Sequence, residues 1–486
     1  MKIAVIGSGI GGLSSAIRLV KKGHSVDIFE RNDTYGGKLG HFKLNKFSFD
    51  TGPSLLTMPH LIDELFQMHN ENPRDYFNYK KKDIHCKYFW DDKTNFTAYS
   101  DKDKYIDEAS SKFSFGKDSL IKYFTRSKKK YDLINQLFLY RPINKISTYL
   151  NFDTLKALLN LKLFQLFSSL DQVNKNDVGN SYMVQVLNRY ATYNGSSPYL
   201  TPGIMTIIQH LENQFGTHVC DGGMRKIPAS MYDLCCKIGV KFHFNKGVES
   251  IVVKDKKATG IMLKNKFLKF DRVISNVDVN ITYKKLINDK TYLPNKNNMS
   301  SSALIFFWGI NREFKDLDLH NILFSNDYKE EFKNIFESNT LSADPTIYIN
   351  ITSKDIKNVS PQGCENWFVM INSPKDIGQD WDKLKSTLRE NIIEKINRNL
   401  GVNIQDNIVE ERVFTPKDIS VNTNSYLGSL YGESSNGIFS PLKRHQNFSR
   451  SIKNLYFCGG TVHPGGGIPL CIMSSKIVSD LIEKSN

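Results

Sequence analysis

Lys2-Ile3-Ala4-Val5-Ile6-Gly7-Ser8-Gly9-Ile10-Gly11-Gly12 opens the chain, and its reading decides the fold. Lys2 to Ile6 is a short apolar run with strand character, and Leu13 to Lys22 has the pattern of a helix. Ser25 to Phe29 is a second apolar strand, closed by Glu30. A strand, a G-x-G-x-x-G turn at Gly7, Gly9 and Gly12, a helix and a second strand make a βαβ unit that binds a dinucleotide. Gly7 permits the tight turn, Gly9 admits a pyrophosphate close to the backbone, and Gly12 lets helix and strand pack. The phosphates then meet the free N–H groups of a helix N-terminus. Glu30, 18 residues after Gly12, is placed to accept hydrogen bonds from ribose hydroxyls. Taken alone, the unit does not choose between NAD and FAD.

The bulk properties set the frame. At 486 residues the chain exceeds one ordinary core, so two or more domains are expected. The 31 Phe and 22 Tyr suit a large apolar pocket, or simply a large core. A net charge of +15 suits a lysine-rich solvated surface or attraction to an anionic one. With no nucleic-acid module in sight, a membrane surface is the preferred partner. Seven scattered cysteines, one vicinal pair and no C-x-x-C fit a reducing cytoplasm and argue against a disulfide framework or a zinc site. The N-terminal apolar run is too short for a signal peptide, and no run approaches 18 apolar residues. Membrane contact is therefore expected to be peripheral, at the inner face.

Further along, Arg31 leads to Gly36-Gly37-Lys38, a loop suited to passing closely over a cofactor. Phe49-Asp50-Thr51-Gly52-Pro53-Ser54 makes another tight turn before a helix at Pro59 to Met68. Residues 72–107 are polar, with short strand-like runs such as Cys86 to Trp90. From Asp118 to Leu170 the pattern is helical. Leu133, Ile134, Leu137, Phe138, Leu139, Leu155, Leu158, Leu159, Leu161 and Phe167 interleave with Arg126, Lys128, Lys129, Lys130, Lys145, Lys156 and Lys162. Such basic amphipathic helices lie in a membrane interface or cover a core. Asp221-Gly222-Gly223-Met224 is a turn before a helix at Ile227 to Ile238. Strands are expected at Val240 to Phe244, Val248 to Val253 and Phe267 to Ile274, with Val248 placed to hold an adenine edge. A second sheet is expected from Ala303 to Ile310, Ile347 to Thr352, Trp367 to Asn372 and Ile408 to Phe414, with a helix at Lys383 to Leu400.

The C-terminus carries the other strong signal. Leu455 to Thr461 is a strand entering a glycine turn, followed by His463-Pro464-Gly465-Gly466-Gly467-Ile468-Pro469 and a helix from Leu470 to Lys484. Backbone N–H groups at that helix start suit the electron-rich edge of a flavin. An extended FAD needs contacts from distant chain segments, and the two glycine turns together choose it over NAD.

In this order the motifs resemble the FAD-dependent amine oxidase-like superfamily and, more closely, the bacterial-type phytoene desaturase family of carotenoid desaturases. Val5 to Gly12, Phe29-Glu30-Arg31 with Gly36-Gly37, Phe49 to Ser54, Tyr190-Ala191-Thr192-Tyr193, Asp221 to Met224, Ser275-Asn276-Val277-Asp278 and Phe457 to Pro469 carry the likeness, which runs the length of the chain. By general likeness the nearest members are hydroxycarotenoid 3,4-desaturases. The resemblance implies a mixed α/β and α+β fold. A Rossmann-like FAD-binding domain of the amine oxidase and GDI type would be built from residues 1–70, 201–285 and 416–486. An inserted mixed-sheet substrate domain would take 71–115 and 286–415, and a helical membrane-facing subdomain 116–200. It implies non-covalent FAD held by Gly7, Gly9, Ile10, Gly11, Gly12, Glu30, Arg31, Gly36, Gly37, Lys38, Gly52, Pro53, Ser54, Val248, Asn276, Gly459, Gly460, Gly467, Ile468 and Pro469. It also implies a carotenoid drawn from the bilayer, and oxygen or a membrane quinone as electron acceptor.

Desaturation on this scheme moves a hydride to flavin N5 and loses a proton. The proton acceptor is not evident in the sequence: His463, Tyr193 and Arg189 are the candidates. Rival readings are another flavin oxidoreductase, of retinol saturase or amine oxidase type, and a flavin-free prenyl-binding protein of GDI type. The complete glycine set with Glu30 argues against the last.

Overall fold

A computed structural model of the chain describes residues 1–135, 139, 141–142 and 152–485. The expectations for Leu137, Phe138 and Lys145 lie outside these residues. Five parallel strands form the first sheet, in the order Leu455–Phe457, Arg272–Ser275, Lys2–Ile6, Ser25–Phe29, Lys241–His243. Both faces are buried, as a parallel sheet requires. Ile3 and Val5 point to one side, into a core with the helices Ile10–Lys21, Lys226–Lys237 and Ile468–Glu483. Ala4 and Ile6 point to the other, onto Ile251, Ala258 and Ile261 of a small antiparallel sheet, Ser250–Lys254, Lys257–Leu263 and Lys266–Lys269. The single strand expected over Phe267 to Ile274 is thus two. Lys266–Lys269 ends the small sheet, and Arg272–Ser275 joins the parallel one after the Asp271 N–H turns back to the Lys2 carbonyl.

The second sheet has seven strands in the order Ile408–Phe414, Ser302–Ile310, Glu365–Ser373, Ile347–Ile351, His320–Leu323, Ile84–Phe89, Asn95–Tyr99. Its pairings are antiparallel except that between His320–Leu323 and Ile84–Phe89. Side-chain alternation again assigns the faces. Leu304, Phe306 and Trp308 pack under the helix Trp381–Leu400, against Leu388, Ile392 and Ile396. Ala303, Ile305 and Phe307 face Phe47 and Phe49 of the hairpin His41–Leu44 and Phe47–Asp50. That hairpin therefore seals the joint between the two sheets.

Helices cover the far end: Lys102–Phe113, Lys117–Ile134, Leu170–Asp177, Ser181–Asn188 and Thr206–Phe215. The first falls in a stretch read as polar and strand-like. Its charges hide a buried stripe of Tyr105, Ile106, Ala109 and Phe113, and Asp101 caps it by accepting from the Lys104 N–H at 2.8 Å. The helix Lys117–Ile134 buries Leu120, Tyr123, Phe124, Tyr131 and Ile134, so its apolar face covers a core. Its basic run is partly tied down within the fold. Arg126 pairs with Asp177 at 2.5 Å and Lys128 with Asp132 at 2.6 Å. Lys130 is 1% exposed, its ammonium donating to Gln165, Gly203 and Thr206. The exposed apolar side chains come later: Leu155, Leu158, Leu159 (78%), Leu161 and Phe167 (87%). Among the described residues no helix is long and apolar enough to cross a membrane.

Candidate functional site: a glycine-lined cavity and a buried polar cluster

The first glycine turn is packed too tightly for side chains. A Cβ on Gly12 would stand 2.1 Å from the Gly7 carbonyl oxygen. One on Gly11 would stand 2.5 Å from the Asn276 amide and 3.0 Å from both N and Cα of Gly459. The Asn276 side chain fills the centre of this junction. In the orientation that satisfies both its ends, its oxygen accepts from the Gly9 and Gly12 N–H groups at 3.3 Å. The Gly36-Gly37 loop crosses the turn: the Gly36 N–H donates to the Ser8 carbonyl at 3.0 Å, and a Cβ on Gly37 would stand 3.2 Å from Gly9 Cα. Gly36 and Gly37 have φ of +108° and +60°, which favours glycine at both positions.

Beside this junction runs a cavity of about 260 Å³. At one end lie Glu30, Arg31 and Val248, and at the other Lys38, Tyr431, Gly466, Gly467 and Cys471. Glu30 is buried and held in place: its carboxylate accepts from the Ser8 N–H at 2.9 Å, the Ser8 hydroxyl at 2.8 Å and the Asn32 N–H at 3.0 Å. The Arg31 guanidinium donates to the carbonyls of Val421 and Asn422 at 2.6 and 2.9 Å, closing that end with the C-terminal segment.

At the other end Lys38 is enclosed by protein yet open to the cavity. Its ammonium donates to the Leu430 carbonyl at 2.6 Å. Burial pushes its pKa down, opposed by Asp278 and Cys471, while burial pushes the Asp278 carboxyl up. Cys471 borders the cavity as well, but burial raises its thiol to about 11, so the attacking thiolate is scarce. Arg444 binds the whole turn together, donating to the carbonyls of Tyr431, Gly460 and Glu433 at 2.8 to 3.0 Å.

Of the positions implied by the resemblance, Gly7, Gly9, Ile10, Gly11, Glu30, Arg31, Gly36, Gly37, Lys38, Pro53, Val248, Asn276, Gly459, Gly460, Gly467 and Ile468 line this cavity. Gly12, Gly52, Ser54 and Pro469 do not. Gly12 packs on Gly7 and Gly52 on Lys38, where a Cβ would come 1.8 Å from the carbonyl oxygen. Pro469 sits in the first turn of the last helix. Ser54 faces a smaller pocket, with Asp50, Asn350, Asn366 and Phe368. Asp50 accepts from the Met224 N–H at 2.9 Å, which joins the Phe49–Ser54 and Asp221–Met224 turns.

The three proton-acceptor candidates separate. His463 is buried behind the C-terminal turn, its Nε2 3.0 Å from the Arg141 carbonyl, and it does not border the cavity. Arg189 and Tyr193 instead meet in a buried cluster under the second sheet, around Glu212, which no motif marks in the sequence. Tyr190 and Tyr193 donate to the two Glu212 oxygens at 2.7 and 2.5 Å, and Arg189 reaches Tyr193 at 3.0 Å and Glu212 at 4.0 Å. Burial alone would raise Glu212. His85, Arg189 and the two phenols outweigh it and hold the carboxyl below its ordinary range. Tyr431 and Arg444, too, carry no signal in the sequence.

The cavity fits FAD on its own geometry. Its floor is backbone where Cβ atoms would intrude, its lining is drawn from segments as distant in sequence as Gly7 and Cys471, and a carboxylate (Glu30) and an ammonium (Lys38) both border it. Fold and cavity together define a flavin-dependent oxidoreductase. The sequence profile of flavin containing amine oxidoreductases matches residues 10–482. A 1-hydroxycarotenoid 3,4-desaturase of Flavobacterium sp. (strain P99-3) is 48% identical over 490 residues, covering all of this chain and 99% of that one. A 4,4'-diapophytoene desaturase (4,4'-diaponeurosporene-forming) of Staphylococcus aureus (strain bovine RF122 / ET3-1) is 31% identical over 100% of this chain and 99% of its own. Among solved structures, an oxidoreductase from Methanosarcina mazei superposes with a TM-score of 0.62 at 16% identity, over 99% and 100% of the two chains. Putrescine oxidase bound to putrescine gives 0.63 at 12%, over 99% of each. The chain belongs to the flavin containing amine oxidoreductases and, within them, to the carotenoid desaturases.

Proposed function

We propose that the protein introduces a C=C bond at the 3,4 position of a 1-hydroxylated acyclic carotenoid, taken from the cytoplasmic face of a membrane. The observation that carries this reading is the 48% identity, end to end, to a 1-hydroxycarotenoid 3,4-desaturase. The more distant diapophytoene desaturase, at 31%, supports carotenoid desaturation as the general chemistry.

FAD, when bound, supplies the acceptor for a hydride. Glu30 would take the adenosine ribose and Val248 the adenine edge. The junction of Gly9, Gly11 and Gly459 would admit the pyrophosphate, and Gly460, Gly467 and Ile468 would meet the ribityl chain and ring. Lys38 places positive charge at the ring end, which favours a reduced, anionic ring. A polyene held against the ring would gain much of its rate enhancement from that positioning.

Exposed leucines support uptake from a lipid surface. Leu155, Leu158, Leu159 and Leu161 stand with Phe167 on one stretch. Exposed Leu200 and Phe439 join them through backbone bonds: Leu170 to Thr201, Gly203 to Ser168, and Gly437 to Leu200. A monomer seldom exposes so many large apolar side chains together without a partner surface. Lys156 and Lys162 flank the patch, as suits anionic headgroups.

Expression in cells that accumulate acyclic carotenoids with and without a 1-hydroxyl group tests the reading. Pigment extracts should gain one conjugated double bond only where the hydroxylated substrate is present. Equal conversion of both pools would make this a general desaturase, and conversion of neither would refute the proposal.

A further inference from the structure

The proposed reaction releases a proton, and a hydrogen-bonded series of side chains stands beside the cofactor cavity. We propose that Ser54, Tyr348 and His320 form a directed relay for that proton, with the His320 imidazole as terminal acceptor. The proposal rests on the desaturase reading above.

The three groups are hydrogen-bonded in series. Ser54 Oγ is 2.7 Å from the Tyr348 hydroxyl, which is 2.7 Å from His320 Nδ1. The direction of the series is fixed by Asn350. Its Nδ2 donates to the Leu319 carbonyl at 2.9 Å, which identifies that end of the amide as the amino group. The same Nδ2 lies 3.2 Å from His320 Nδ1, an approach that favours a lone pair on Nδ1 and the ring proton on Nε2. The Tyr348 O–H then donates to Nδ1, and the Ser54 O–H donates to Tyr348. What remains at the head of the chain is the pair of lone pairs on Ser54, ready to take a proton. Reversed polarity would make the series useless for this purpose.

Its location suits the task. Pro53 lines the large cavity, and Ser54, the next residue, borders the smaller pocket together with Asn350. Tyr348 is surrounded by protein but keeps accessible surface, so it borders internal space. His320 is only 3% exposed, and its Nε2 has no hydrogen-bond partner. Burial keeps the ring neutral, lowering its pKa to about 4. Glu212 and Asp318 oppose that shift, while Arg189 and Lys82 reinforce it. A neutral imidazole of modest basicity suffices here. With FAD bound to accept a hydride, the electron-poor polyene left behind would make the C–H on the neighbouring carbon strongly acidic. That C–H electron pair becomes the new C=C. Its proton goes to Ser54 Oγ, the Ser54 proton to Tyr348, and the Tyr348 proton to Nδ1. The imidazolium discharges along the same path when product leaves and water reaches Ser54.

Two measurements test this. The first needs neither substrate nor flavin: ¹⁵N spectra of histidine-labelled protein should show His320 neutral and protonated on Nε2 at pH 7. A proton on Nδ1 would overturn the relay outright. The second compares Tyr348→Phe and Ser54→Ala with the wild type as FAD-loaded enzymes. Turnover should fall about a hundredfold in each, the lower range for loss of proton transfer, with FAD content and Tm retained. The acid limb of the wild-type pH profile should vanish in both variants. Wild-type desaturation with both variants within twofold of it would overturn the relay alone. No desaturation by the wild type would refute the substrate reading, and the relay as a route for that proton with it.

Discussion

Gly11 and Gly459, 448 residues apart in the chain, lie so close that a methyl group on the first would stand 3.0 Å from the backbone of the second. The amide of Asn276 fills the remaining gap, 2.5 Å from the same point. The cofactor cavity is thus closed by three turns that belong to three separate stretches of sequence.

Gly11→Ala should therefore act on both turns at once. Overpacking of this kind costs about 1–3 kcal/mol. Because the Asn276 amide and the Gly459 backbone both stand in the way, relief would come from displacing that amide and parting the two turns. We expect a weaker fold, a lower Tm and FAD affinity reduced by at least about tenfold. Fluorescence titration of the apoprotein with FAD checks it.

Glu30→Gln keeps the shape of the side chain and removes its charge. Three protein donors, and the ribose hydroxyls it is placed to hold, then lose a charged acceptor. Hydrogen bonds to charged groups contribute about 1.5–3 kcal/mol each. Dissociation of FAD should rise about 10- to 100-fold with little change in turnover once FAD is saturating. Ser8→Ala should show a smaller effect.

Lys130 gives a pH dependence with a definite sign. Burial lowers its pKa to about 7, against the ordinary 10.5 of an unfolded chain. Between these values the unfolded state binds the extra proton, so stability rises with pH over that window. Below about 7 both states are protonated and the penalty is complete. Urea unfolding at pH 6.5 and pH 9 should show a gain at the higher pH that is absent from Lys130→Met.

The membrane patch is separable from the fold. Leu155→Ser, Leu158→Ser, Leu159→Ser and Phe167→Ser alter exposed side chains, so Tm should hold within a few degrees. Burial of such side chains in a bilayer is worth about 1.5–3 kcal/mol each. Co-sedimentation with anionic vesicles should drop at least about tenfold in the combined variant. Lys129→Gln should change it much less.

Much of this was legible in the sequence because certain features have only one structural use. The turn at Gly7 to Gly12, the Gly36-Gly37 loop and the Gly465 to Pro469 stretch each demand close approach of backbone, and all meet at one cavity. The strands read at Ala303 to Ile310 and Trp367 to Asn372 follow from runs of aromatic and branched side chains. What stayed hidden depends on contacts between distant segments. The start of the helix Lys102–Phe113 falls in the stretch 72–107 that reads as polar, because its buried stripe comes to only four residues. Lys130 reads as a surface charge because only the fold reveals Gln165, Gly203 and Thr206 around it. Glu212 is one carboxylate on an ordinary helix until Arg189, Tyr190 and Tyr193 enclose it. His463 is near the flavin turn in sequence, but the turn directs its ring away from the cavity.

The most direct measurement mixes the FAD-loaded protein with a 1-hydroxylated acyclic carotenoid in detergent or vesicles, without oxygen. The flavin absorbance should bleach while the carotenoid spectrum shifts to longer wavelength, one new double bond forming for each flavin reduced. A flavin that stays oxidised, with an unchanged carotenoid, would contradict the account.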